Sequence, residues 1–420
     1  MEINYKKISL AVGFLVFCVL IGYFIFWLFF KPAGSLLPSV SPAATTPGGQ
    51  LPAAKTGTGA VGETGIGAGG KLPGAETTAQ TAETVSAPAA PDATARGGVT
   101  AVTAVNQTDS LAPTLGNNGR DVYYYSRDDG KFYRLNQNGQ TVALSDKTFF
   151  DVQSVTWAPN KDKAVLEYPD GANILYDFTA QRQFTLPKHW QEFDFSPQSN
   201  QIVAKSIGLD PENNWLIVSN EDGSQARALE NLGNNADKIH SSWSPNNLSV
   251  ALFTESLDFN RQTLYFVGQN KENFKSTVIE GRGLESQWAP SGDRLLYSVY
   301  SDDTNLNPSL WIVDAKSENI GANRQQLNLQ TWANKCNIVS DQTAYCAVPQ
   351  SLPEGAGLFP ELANETADSI YKINLANGSR SLLAVPDGNF NVQNIVVSSN
   401  ESELYFTDGA TGGMYKMRLK

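Results

Sequence analysis

Residues able to do chemistry are few in this 420-residue chain, and they are scattered. Only two histidines occur, His189 and His240. His189 stands in Lys188-His189-Trp190-Gln191-Glu192, and His240 precedes Ser241-Ser242-Trp243. Either could serve as a base, and either suits an ordinary half-buried loop position. They are too few and too far from any cysteine pair to build a zinc centre. Three acidic turns offer oxygen ligands for Ca²⁺: Arg127-Asp128-Asp129-Gly130, Asn220-Glu221-Asp222-Gly223 and Ser301-Asp302-Asp303-Thr304-Asn305. None has the spacing of a dedicated calcium loop, and all have the composition of hairpin turns. The chain has no G-x-S-x-G elbow, H-E-x-x-H, Walker loop or G-x-G-x-x-G following a strand. No catalytic residue, metal or cofactor is therefore assigned, and the expectation is a protein that is not an enzyme.

Three cysteines differ in setting. Cys18 lies in an apolar run, where it acts as a small apolar residue. Cys336 and Cys346 lie ten apart on two runs that read as adjacent antiparallel strands. A cross-strand disulfide fits there, as in an extracytoplasmic compartment; two buried thiols are the alternative.

The stretch 349–368, PQSLPEGAGLFPELANETAD, interrupts one structural unit. Long insertions in compact domains often carry function or motion. Leu358, Phe359 and Leu362 offer an apolar contact, and Pro360 to Asn364 suits a helical turn. The stretch reads either as a binding loop or as an insertion packed on its own blade, with Cys336 and Cys346 bracing its base.

These candidates need a frame, and composition divides the chain before any pattern does. Residues 1–7 read as a short cytoplasmic N-terminus. Residues 8–30, Ile8 to Phe30, are 23 uncharged residues. As helix they span about 34 Å at roughly 1.5 Å per residue, against a hydrocarbon core of about 30 Å. Lys6 and Lys7 precede the run, and the positive-inside rule places the N-terminus in the cytoplasm. The run is too long, and its Phe26-Trp27-Leu28-Phe29-Phe30 end too bulky, for a cleaved signal peptide. The expectation is a signal anchor, single-pass in the cytoplasmic membrane, with the remainder outside (periplasmic or extracellular). Residues 31–98 are rich in Ala, Thr, Gly and Pro and nearly free of aromatics, which predicts a disordered linker. The formal net charge is −11, and all of it falls beyond residue 112, which disfavours nucleic acid as a partner.

From residue 99 to 420 a unit recurs. Trp157-Ala158-Pro159, Phe195-Ser196-Pro197, Trp243-Ser244-Pro245 and Trp288-Ala289-Pro290 each sit between two apolar runs. Aligning the following runs adds Leu115, Asn337 and Val397 as weaker anchors, with gaps of 38 to 60 residues. This period with three or four short strands per unit predicts an all-β propeller of seven blades, six being the alternative. The aromatic anchors Trp157, Phe195, Trp243 and Trp288 are structural wedges between blades. The last unit lacks an outer strand, and Val99–Val105 is expected to supply it and close the ring.

The phrase W-S-P-x-x-G, followed by an apolar strand, an Ile-Val strand and an Asp-Gly-Ser turn, resembles the TolB-like propeller repeat and related WD-like surface propellers. It is carried by Trp243–Pro245, Trp288–Gly292, Leu216–Val218 and Asp222-Gly223-Ser224. The resemblance spans residues 113–420 and implies binding or scaffolding in a cell envelope. True TolB has an extra N-terminal domain where this chain has its apolar run and linker, so TolB's partners are not implied. The expected role is a tethered binding or scaffold module for an envelope protein, peptide or cell-wall polysaccharide. A carbohydrate-active envelope enzyme using channel carboxylates is the alternative.

Overall fold

A computed structural model describes residues 90–420, together with Phe17, Val19, Leu20, Ile21 and Phe24, which are helical and exposed. Among the described residues no helix is long and apolar enough to cross a membrane. Most of the expected anchor 8–30, and the linker up to residue 89, lie outside them.

Seven sheets account for residues 99–420. Blades 1 to 5 are four-stranded antiparallel sheets at 110–143, 154–186, 190–231, 239–280 and 282–326. Blade 6 covers 336–386 and blade 7 covers 392–418. The strands are short and turn at Gly, Asn or Asp, and second strands such as Lys163–Glu167, Gln201–Ser206 and Arg294–Tyr300 are buried on both faces. This patterning cannot bury both faces of one sheet without a neighbouring sheet on each side. Seven apolar clusters lie in the seams, one between each pair of successive blades. The seventh joins Val396, Tyr405 and Met414 of blade 7 to Val122, Tyr124 and Leu135 of blade 1, so the ring is closed.

The anchors sit in these seams. The Trp157 indole donates to Ala112 O of blade 1 at 2.9 Å and stacks on Phe178. Trp288 donates to Ser242 Oγ of blade 4 at 2.9 Å. Trp243 donates to Asn247 Oδ1 of its own turn and packs on Val203 and Val218 of blade 3. Phe195 packs on Val165 and Leu175 of blade 2. Asn337 is not the equivalent of these. It stands mid-strand opposite Tyr345, and its Oδ1 accepts the Val397 N–H of blade 7.

Closure differs from the single strand expected at Val99–Val105. Thr103–Asn106 pairs antiparallel with Met414–Arg418 and completes blade 7. Val99–Thr100 instead pairs parallel with the outer strand of blade 6, making that sheet five-stranded. The run breaks at Ala101-Val102 because their amides leave the ladder. Ala101 donates to Asp92 O, and Val102 donates to Asp387 Oδ1. The packed segment also begins before the expected boundary at 99. Ala95 is buried in the seam of blades 6 and 7, and its N–H bonds Arg418 O. The polypeptide thus staples two neighbouring blades before it starts the first.

Cys336 and Cys346 lie directly opposite one another on the first two strands of blade 6 and form a disulfide, with Cα atoms 4.0 Å apart. The bridge closes a ten-residue loop, for which chain entropy gives about 2–3 kcal/mol. Reduction is expected to lower the urea midpoint while leaving the far-ultraviolet spectrum native. An unchanged midpoint on adding reductant would show that the hairpin needs no bridge.

Candidate functional site

Strand alternation gives the ring two unlike faces. Loops joining first to second and third to fourth strands lie on one face, which carries the Pro turns. Loops joining second to third strands, and each blade to the next, lie on the other. The segment 350–367 joins the second and third strands of blade 6 and so belongs to the second face, the insertion face.

The innermost strands line the channel, and four of them carry a bulge with a left-handed residue: Ala112, Glu192, Gly283 and Asn394. A bulge unpairs one residue and re-aims its side chain. At Glu192 this gathers a polar cluster on the insertion-face side. Lys205, only 5% exposed, donates to Glu192 Oε1 at 2.5 Å and to Ala236 O at 2.9 Å. His240 Nδ1 lies 3.4 Å from Glu192 Oε2. Glu167 Oε1 accepts the Glu192 N–H at 3.2 Å. Burial drives the Glu167 carboxyl above its ordinary value, opposed by the Glu192 amide and Ser154. Burial acts upward on Glu192 too, but His240 and Lys205 together outweigh it and hold that carboxyl below the usual range. Two neighbouring carboxylates are thereby pushed apart in acidity.

Across the mouth lies a second cluster, built around the base of the insertion. Lys335 is 3% exposed; it pairs with Asp368 at 2.8 Å and donates to Asn391 Oδ1 at 3.0 Å. Asp368 is the first residue after the insertion, and its Oδ2 also accepts the Val392 N–H of blade 7 at 2.7 Å. Its Oδ1 is buried without a partner. Burial pushes both partners toward neutrality, and their mutual attraction opposes it. A small cavity of about 120 Å³ opens beside the pair, between Trp332, Asn334, Pro360 and Asn364. Glu285 faces it. Burial raises that carboxyl, which accepts one bond from the Asn334 backbone and leaves Oε2 unpartnered.

The insertion is fixed at its root and bare at its tip. Gly355 and Gly357 donate to Asn305 O and Leu306 O of blade 5, at 3.0 and 2.8 Å. Leu352, Ala356 and Ala363 pack on Trp332. Pro360–Ala363 forms a 3₁₀ turn. Leu358, Phe359 and Leu362 remain 41%, 53% and 46% exposed. A Cβ on Gly357 would stand 2.6 Å from Leu306 O and 2.9 Å from Pro308 N, both backbone. Gly357→Ala is therefore expected to detach the loop from blade 5, read as faster amide exchange at 355–358 with the seven sheets still protected. Unchanged exchange would contradict this docking.

The remaining sequence candidates are dispersed. His189 is exposed in the loop before blade 3, while His240 reaches Glu192. The turn Arg127–Gly130 and the turn Ser301–Asn305 belong to the insertion face, and Asn220–Gly223 to the opposite one. Among the described residues no three His, Cys, Asp or Glu side chains gather as a metal-binding group. Glu167, Glu192, Lys205, Lys335 and Asp368 were not singled out by sequence. The signal was present in Lys205, a charge inside the apolar run Gln201–Ser206, and in Glu192 and Glu285, each three residues before its anchor.

Fold and channel together define a seven-bladed β-propeller, its blades four-stranded but for the fifth strand added to blade 6, closed by strands from both ends of the domain. No family model and no curated protein matches the chain. Solved structures share the fold. An oligogalacturonate lyase in complex with manganese aligns at 12% identity and a TM-score of 0.50, over 76% of this chain and 93% of that one. The Swd1 β-propeller domain from Myceliophteria thermophila aligns at 12% identity and a TM-score of 0.52, over 76% of this chain and all of that domain. At such identities the likeness speaks to fold alone. The resemblance to TolB-like repeats rests on the Trp-Ser-Pro residues themselves.

Proposed function

We propose that the protein is a binding and scaffold module that docks a protein partner on its insertion face. One observation carries this reading. Among the described loop residues, the large exposed apolar side chains all lie on that face: Phe150, Leu209, Leu257, Phe259, Leu358, Phe359 and Leu362. Scattered apolar residues need no explanation, but segregation to one face marks an interaction surface. Loops of the same face carry Asp128, Asp210, Glu212, Asp302, Asp303 and Glu361. Apolar tips with acidic surroundings suit a protein with an apolar centre and a basic rim, and repel anionic lipid. The expected anchor at 8–30 belongs to the same proposal: it would hold the propeller outside the cytoplasmic membrane. Affinity capture from envelope extract tests the reading when run beside the Leu358→Ser/Phe359→Ser/Leu362→Ser variant. A partner lost with the variant supports docking at the insertion, and one retained contradicts it.

A second reading has its own support in Glu167 and Glu192, whose opposed acidities suit an acid and a base in glycosidic cleavage. It requires glycan cleavage by the protein that Glu167→Gln and Glu192→Gln each abolish. Absence of cleavage across cell-wall glycans removes it.

A further inference from the structure

The Pro turns of the opposite face repeat one backbone corner. Four residues past every anchor but Asn337 the chain turns left-handed: Gly119, Lys161, Ser199, Asn247, Gly292 and Glu401, with φ between 53° and 73°. In every case that residue's N–H bonds the carbonyl three residues earlier. Glycine fits such a corner without strain, and asparagine tolerates it. Lysine and glutamate have no local reason to be there, and strained residues cluster where a site needs them.

Lys161 and Glu401 line one cavity of about 530 Å³, at the mouth of the channel on this face. Its walls come from blades 1, 6 and 7 and include Leu115, Val339, Ile395 and Val397. The two charges differ in company. Glu401 is satisfied by the Tyr345 hydroxyl and by Lys372 Nζ at 2.8 Å. The Lys161 ammonium has no hydrogen-bond partner among the described residues. Burial lowers its affinity for a proton to a pKa of about 8, against the pull of Asp194. The half-buried ammonium has Asp194 as a nearby charge but no hydrogen-bonded anion, so it can take one from a ligand.

We propose that this cavity binds a small monocarboxylate with an apolar body, its carboxylate on the Lys161 ammonium and its body against Leu115, Val339 and Val397. The volume lies within the 300–1,000 Å³ range of small-molecule sites. A single cation and a nearby fixed carboxylate suit one negative charge better than a phosphate dianion. The site is on the opposite face from the proposed protein-docking loops and stands independently of them.

Titration of the full-length protein with hexanoate and with the isosteric hexanamide tests the proposal. Hexanoate is expected to bind at least tenfold more tightly. Lys161→Arg should keep that preference and Lys161→Gly should abolish it. The glycine variant remains folded, because Gly119 and Gly292 already occupy the same corner, and its melting temperature should rise. Equal binding of acid and amide, binding of neither, or an unchanged preference in Lys161→Gly would overturn the assignment.

Discussion

Asp368→Ala is expected to be the most damaging single substitution on the insertion face, at about 3–5 kcal/mol. The carboxylate joins three pieces of chain. It pairs with Lys335 from the loop entering blade 6, accepts an amide from Val392 at the start of blade 7, and begins the strand that follows the insertion. Removing it leaves an ammonium that is 3% exposed with only Asn391 Oδ1 and the Trp332 ring. An unpaired buried charge costs far more than the pair contributes. Hence Lys335→Met combined with Asp368→Leu should recover a large part of the loss, although the Val392 amide stays unbonded. Denaturant titration of the two variants measures this. A double variant as unstable as Asp368→Ala would mean that the amide bond, not the stranded charge, is what matters.

Replacing Leu358, Phe359 and Leu362 together with serine is expected to weaken partner binding by about 2 kcal/mol or more, some 30-fold, the size of an interface hot spot. The same change should barely alter stability. The three side chains are 41–53% exposed and contribute little to the core, whereas Trp332, Ala356 and Ala363 beneath them are buried. Binding and folding are thus separable at this loop. A fall in melting temperature comparable with the loss of binding would instead make these residues part of the packing.

How much could be read from sequence depended on range. The anchors and turn residues act locally, so Trp157, Phe195, Trp243 and Trp288 marked the seams without a structure. The disulfide was legible because both cysteines sit on one hairpin. Ring closure was half legible. Val99–Val105 looks like one β-branched strand, and only two acceptors met after folding, the Asp92 carbonyl and the Asp387 carboxylate, divide it. Asn337 misled because its unit has a shorter turn, which moves the anchor register by one residue, to Ile338 opposite Ala344. The polar clusters were hidden for a plainer reason. Glu192 meets His240 from the next blade, and Lys335 meets Asp368 across an insertion. No local pattern records such pairings.

Docking of a partner on the insertion face, as proposed, can be tested by crosslinking. A photo-crosslinking residue placed at Leu209 or Phe359 on that face, and at Lys271 or Asn377 on the opposite face, tests it in cells of the source organism. One discrete adduct is expected from the first two positions, none from the last two, and its loss when Leu358 and Leu362 are serine. Adducts only from Lys271 or Asn377, or equally from all four, would contradict it.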